Sequence, residues 1–344
     1  MASNNYMSAK DLEVKTLLKY MTFAPTSKAE GAPEQQAIGR FRYFQYIFKK
    51  NGSYLLTANL LFMLFALPII AILLYLLTAV GMERFSYFIQ GSENIPYFLS
   101  GAGVGISATN SLTEGQVNLL FGYRIMFLAI AACIPITFAG LAGVFHLAGK
   151  MVWEEKLLSK KDSYGNDIPL IAKEFFAGVK KYGKYTLIIT AAIAAMVAGF
   201  SQLIINFIEH IMLDSATFWD YAGFILSILI SGLALMSIVQ LLPMLTMYRE
   251  LNFLQNLKNA FLLGISVPLP TFFMVAILLL PLFLLFSGGL LVTLVLLALI
   301  MFGPGFYSLA WSVYADYNSE KIVQPIYQAL TKKSKKKAKE KKKK

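Results

Sequence analysis

Two histidines, one cysteine and a few paired carboxylates are all that this chain offers for acid–base, nucleophilic or metal chemistry. His146 lies near the end of one long apolar run and His210 at the end of the next, so the two are predicted at opposite ends of their segments and share no site. Each reads as a snorkelling residue, its ring body in an apolar layer and its nitrogens in water. Cys133 stands alone and forms no intramolecular disulfide. With two histidines it is too little for a zinc or iron–sulfur cage. Glu154-Glu155, beside Lys156, sit in a polar segment and read as a solvated cluster rather than an acid/base dyad. No Gly-rich phosphate loop precedes a Lys-Ser or Lys-Thr, and neither H-E-x-x-H nor a nucleophile elbow occurs. The expectation is a non-enzyme with no cofactor and no metal.

Coupling to an ion or proton gradient usually needs an ionisable side chain at membrane depth. The apolar runs have none near their centres. They hold Thr57, Asn59, Gln202, Asn206, Ser231 and Gln240, which are hydrogen-bonding glue between helices. Prolines are more suggestive, since Pro68, Pro135, Pro243, Pro281 and Pro304 fall within or near the ends of five runs. Gly303-Pro304-Gly305 is the strongest candidate for a helix break. Its proline removes a helix hydrogen bond and both flanking glycines disfavour helix. Such breaks line substrate sites in transporters, and they also occur as plain kinks where neighbouring helices re-satisfy the backbone.

The elements that carry these residues follow from composition. The chain has 344 residues, 57% of them hydrophobic and 15% charged, against about 25% charged in a soluble domain. Six strongly apolar stretches, 54–79, 125–147, 185–208, 221–247, 267–286 and 290–313, are each long enough to cross a hydrocarbon layer of about 30 Å as a helix. The last two cannot be one helix, because together they would reach about 70 Å at about 1.5 Å per residue. Ser287-Gly288-Gly289 supplies the turn between them. The fold class is therefore all-α, a polytopic membrane protein with six transmembrane helices. The polar, mixed-charge start reads as free of a cleavable signal peptide.

Lys and Arg fix the orientation. Of 31 such residues, 29 fall in 1–50, 149–184, 248–266 and the segment from 315 onward. Only Arg84 and Arg124 lie on the other side. Both termini are thus expected in the cytoplasm. A cytoplasmic N-terminal segment (1–50), a membrane domain (51–314) and a basic cytoplasmic tail (315–344) make up the chain. The net charge of +12 comes mostly from this asymmetry and needs no nucleic acid.

Outside the spans, 80–124 forms a long outer loop rich in Gly, Ser, Asn and aromatics. Residues 167–184 read as a cytoplasmic amphipathic helix, with Asp167 as N-cap, Pro169 early in it and Ile171, Phe175 and Val179 on one stripe. Phe176 lies beside that stripe. These four residues are the candidate partner interface, with adsorption to the inner leaflet as the rival reading. A second such helix is expected over 248–264, with Leu254, Leu257 and Phe261 aligned, and a third over 35–50. The segment 332–344 contains ten lysines in thirteen residues and reads as a lipid tether, with Lys335, Lys336, Lys337 and Lys341 as candidate lipid contacts. A ribosome contact is the sharper alternative for it.

Three segments together resemble the YesL-like family of bacterial membrane proteins. They are ANLLFMLFALPII (58–70), IPITFAGLAGVFHLAGKMVWEEKLL (134–158) with DIPLIAKEFFAGVKKYGKYTLI (167–188), and QLLPMLTMYRELNFLQNLKNAFLLG (240–264). The likeness covers roughly 43–314, and it is one of residue types; the long outer loop and the lysine tail depart from it. Members of that family are encoded beside carbohydrate ABC importers. The resemblance therefore implies a multi-pass protein of the bacterial inner membrane, an accessory subunit that binds membrane lipids and the permease subunits of such an importer. It supplies no catalytic residues. Two other readings stand beside it: a stand-alone transporter or channel using the 303–305 break, and a biogenesis factor contacting ribosomes through the tail.

Overall fold

The computed structural model describes residues 7–8, 20–24, 35–79, 112–161, 164, 166–212, 215–283, 289–329 and 331–332. They are mostly helical. In chain order the elements are strands β1 (Met7–Ser8) and β2 (Thr22–Phe23), helices α1 (Gln35–Ile38), α2 (Arg40–Ala79) and α3 (Leu112–Val152), and strands β3 (Ser159–Lys161) and β4 (Asp167–Pro169). Then follow α4 (Ile171–Met212), α5 (Phe218–Met247), α6 (Phe253–Ser266), α7 (Pro268–Phe283), α8 (Gly289–Asn318) and a π-helical turn, Ser319–Val323. Strands β1 and β2 pair antiparallel, as do β3 and β4.

Three helical stretches are long and apolar enough to cross a membrane: Arg40–Ile72, Phe127–Val152 and Ile171–Ile211. A fourth is formed if Phe253–Ser266 and Pro268–Met274, bent by 95° at their junction, count together. Helices α2, α3 and α4 have 40, 41 and 42 residues. At about 1.5 Å per residue each is roughly twice the thickness of a hydrocarbon layer. The expected helices over 35–50 and 167–184 are therefore not separate elements. From Arg40 and from Ile171 onward they continue without interruption into the apolar runs. Asp167 and Pro169 are corrected from helix start to strand β4, whose partner is Ser159–Lys161. Residues 112–124 likewise belong to α3 rather than to a loop. The rest of the expected outer loop, 80–111, and all four candidate lipid-contact lysines, Lys335, Lys336, Lys337 and Lys341, lie outside the described residues.

Helix α3 stops where the chain can close a left-handed cap. Glu155 N–H donates to Lys150 C=O (2.9 Å) and Glu154 N–H to Met151 C=O (3.3 Å), with Glu154 at φ 51° in the position usually held by glycine. Lys50 (3.0 Å) and the Tyr46 hydroxyl (3.1 Å) hold the Glu154 carboxylate there.

The chain divides into two units, one of Met1–Met63, Gly140–Tyr185 and Leu233–Lys344, the other of Leu64–Ala139 and Thr186–Gly232. In the first, Tyr43, Ile47, Phe145, Trp153, Phe175 and Tyr248 are wholly buried. Helices α2 and α8 face each other there: Arg40 lies 4.0 Å over the Tyr317 ring, and Phe44 meets Phe306 edge-on at 5.2 Å. The second unit carries its large apolar side chains outside. Leu64, Leu67, Ile188, Ile225, Leu226 and Leu229 are all more than half exposed, as expected of a surface solvated by lipid. Its polar contacts are few. Arg124 pairs with Glu209, and the Thr217 hydroxyl and N–H (2.6 and 2.8 Å) cap Asp220, holding that carboxyl down at about 2, with His210 at 2.9 Å adding to the effect.

Candidate functional site

The chemistry-bearing residues of the first unit fall into three polar clusters built from α1, α3, α4, α8 and the links beside them. The first centres on Glu174, whose carboxylate is 2% exposed. Oε1 accepts from Lys150 Nζ (2.7 Å) and from His146 Nε2 (2.8 Å), and Oε2 accepts from Leu158 N–H (2.9 Å). Helix α3 presents Lys150 and His146 one turn apart, and Glu174 comes from the first turn of α4. Facing a carboxylate, Nε2 carries the imidazole proton. Nδ1 is then a bare acceptor, and it is buried without a partner. His146 is therefore corrected from a snorkelling residue to a buried one, 5% exposed. The Tyr182 ring tilts against it at 5.6 Å.

A second centres on Asp316, 1% exposed. It accepts from Trp153 Nε1 (3.1 Å) and Gln35 Nε2 (2.8 Å), and Gln35 N–H donates to Glu320 one turn on (3.3 Å). A third is Arg249, whose guanidinium meets both oxygens of Glu155 at 2.8 Å. Glu154 and Glu155 thus turn to different cations, and no carboxylate dyad exists. These groups hold helices together through charge-assisted hydrogen bonds. Among the described residues, no group of three or more His, Cys, Asp or Glu side chains is placed to hold a metal.

The expected partner stripe is turned inward. Ile171 is 7% exposed and Phe175 not at all, and Val179 is half-buried. The reason is a notch on α3: a Cβ on Gly143 would lie 2.8 Å from the Phe175 ring, so the glycine is the space into which that ring fits. Phe176 alone of the four remains open, at 46%. The second expected stripe lies together on the exposed side of its helix. Leu254, Leu257 and Phe261 point outward on α6, while Asn256 and Asn259 are buried. Asn256 Nδ2 donates to the carbonyls of Tyr248 and Leu251 (3.3 and 3.2 Å). Asn259 clasps the backbone of Thr22 from both sides, accepting its N–H (3.0 Å) and donating to its C=O (2.7 Å). Amides that can satisfy buried backbone go inside, and lipid-compatible leucines go out.

Gly303-Pro304-Gly305 is not a break: α8 runs through it. The Gly305 N–H leaves the helix ladder and donates to Asn59 Oδ1 of α2 (2.9 Å). A Cβ on Gly305 would come within 3.1 Å of the Leu55 carbonyl, so the glycine lets two helix backbones approach closely. Asn59, read as hydrogen-bonding glue between helices, does join α2 to α8, whereas Trp153, Glu174 and Asp316 were not legible as site residues. The one available signal was a polar side chain set among apolar neighbours in a helical run. No protein-family model, curated protein or solved structure matches this chain.

Proposed function

We propose that the chain is a six-span protein of the bacterial cytoplasmic membrane with both termini inside, and that it is an accessory subunit on the permease of a carbohydrate ABC importer. The Lys and Arg asymmetry and the long apolar helices support the topology. The functional half is carried by one observation: the buried carboxylates Glu174 and Asp316 and the half-buried Glu155 are all engaged by cations, N–H groups and amides of their own chain. Polar groups committed to architecture, under an exterior rich in apolar side chains, suit a binding role within a membrane assembly rather than a reaction. The YesL-like resemblance supplies the class of partner.

The topology has a direct check. With Cys133 replaced, a cysteine introduced at Ser111 should react with a membrane-impermeant thiol reagent in intact cells, and one at Ser163 should not. Reaction at both positions overturns the six-span arrangement with both ends inside. The partner is tested by affinity purification from native membranes, where permease subunits are expected to come down with the full chain. Phe176, exposed between Lys173 and Lys180 on α4, takes over from the buried Phe175 as the contact. Phe176→Glu should release the permease while the protein elutes as wild type does, because a carboxylate in a packed contact is left unpaired. Ribosomes in place of permease would favour the biogenesis role, and no partner at all the stand-alone transporter.

A further inference from the structure

Helical serines and threonines of this chain close their hydroxyls onto their own helix. Thr57, Thr137, Thr190, Ser266 and Thr271 each donate to the carbonyl four residues back, at 2.6–3.1 Å. Ser308 and Ser312, one turn apart on α8, do not. Both are fully buried and neither hydroxyl has a partner. On the same stretch the Trp311 Nε1 and the Tyr307 hydroxyl are buried and unpartnered, and on α5 so are both polar atoms of Gln240, a residue with no exposed surface.

Helix geometry sets these atoms at neighbouring depths along α5 and α8. The Tyr248 hydroxyl meets Ser319 Oγ at 2.5 Å, which joins α5 and α8 just past their C-terminal ends. Gln240 lies eight residues before that contact and Ser312 seven, or about 12 and about 11 Å at about 1.5 Å per residue. Helix α3 gives the same depth independently. Phe145 stacks on Trp311 (6.0 Å, 18°), and a Cβ on Gly149, one turn along, would touch Thr246 of α5 at 3.1 Å.

Buried polar groups in folded proteins are nearly always paired, and clustered exceptions mark a bound molecule. We propose that this layer binds a neutral hydroxyl-bearing ligand, water or a small polyol, between the Gln240 amide and the Ser308 and Ser312 hydroxyls, beside the Trp311 indole. The set has no member charged at neutral pH, so it offers a charged ligand no counter-charge. Its amide, hydroxyls and indole N–H match both the donor and the acceptor of an alcohol. An apolar ligand would leave every one of them unpaired. The site does not depend on the permease reading and survives a failed copurification.

The full-length protein in lipid nanodiscs is exposed to a pulse of hydroxyl radicals, and Trp311 oxidation is read by mass spectrometry. Trp153, wholly buried and bonded to Asp316, is the dry internal standard. If water fills the layer, Trp311 oxidises severalfold faster than Trp153, and the excess falls in Gln240→Leu and in the milder Ser308→Ala/Ser312→Ala double variant. If a polyol is the ligand, glycerol or glucose raises the Tm of the wild type more than that of either variant. Either result supports the site and names its source. Trp311 oxidation that neither variant lowers, or oxidation at the Trp153 rate, overturns the site when the polyol shifts are also equal in all three proteins.

Discussion

Replacing Glu174 with alanine is expected to remove most of the stability of this protein. The carboxylate is 2% exposed and receives Lys150, His146 and the Leu158 N–H. Without it a cation, 14% exposed, an imidazole N–H and a backbone N–H lose their acceptor together. Breaking one side of a buried pair costs about 3–5 kcal/mol, against a total stability of about 5–15 kcal/mol for a typical domain. Thermal unfolding of the purified protein in detergent would show a Tm lower by many degrees, or no folded protein. The origin of the loss is testable in the same assay. Removing the cation as well, in a Glu174→Met/Lys150→Met double variant, should recover a large part of it, since no uncompensated charge then remains. A Glu174→Ala protein melting within about 1 °C of wild type, a shift worth under about 1 kcal/mol for a chain of this size, would show that the Glu174 cluster carries little of the fold.

That the fold turns on Glu174 was not readable from its sequence position. Asp167, Pro169 and the apolar Ile171 and Phe175 together read as the beginning of a surface helix, in which nothing singles out Glu174. What reverses the reading is a pairing over 28 residues between α3 and α4, and single-chain periodicity says which residues share a face but not which face meets which. The alignment of Leu254, Leu257 and Phe261 was legible, but the opposite face was not: Asn256 and Asn259 go in because buried carbonyls and the Thr22 backbone need their amides. The long helices were legible as apolar runs and not as helices of 40 residues or more. Charges at Lys50 and Lys184 mark where lipid ends. Helix ends need a cap or a breaker, and neither Gly52 nor Lys184-Tyr185 provides one strong enough to stop α2 or α4. At Pro304 the helix continues where a break was expected, and Asn59, legible as glue but not as the partner of this segment, takes the neighbouring Gly305 N–H.

Gly178→Ala, a single hydrogen replaced by a methyl group, is expected to lower the melting temperature by several degrees. Helices α3 and α4 interlock reciprocally. Gly143 of α3 receives Phe175 of α4, and Gly178 of α4 receives His146 of α3, each glycine three residues from the aromatic its own helix gives in return. A Cβ at 178 would lie 2.6 Å from His146 Cβ, the stem of that side chain rather than a movable tip, so the two helices must part or the imidazole must leave Glu174. Overpacking of this kind costs about 1–3 kcal/mol, and the loss of the 2.8 Å bond to Glu174 adds to it. Alanine's better helix propensity returns at most about 1 kcal/mol. Gly183→Ala, five residues along the same helix, isolates that propensity gain, because its Cβ would meet only Val179 at an ordinary 3.6 Å. Gly183→Ala should therefore melt at or slightly above the wild-type temperature and Gly178→Ala several degrees below it. Two coincident melting curves would mean that α3 and α4 do not pack through the glycine notches, and the inward placement of Phe175 and His146 would fall with them.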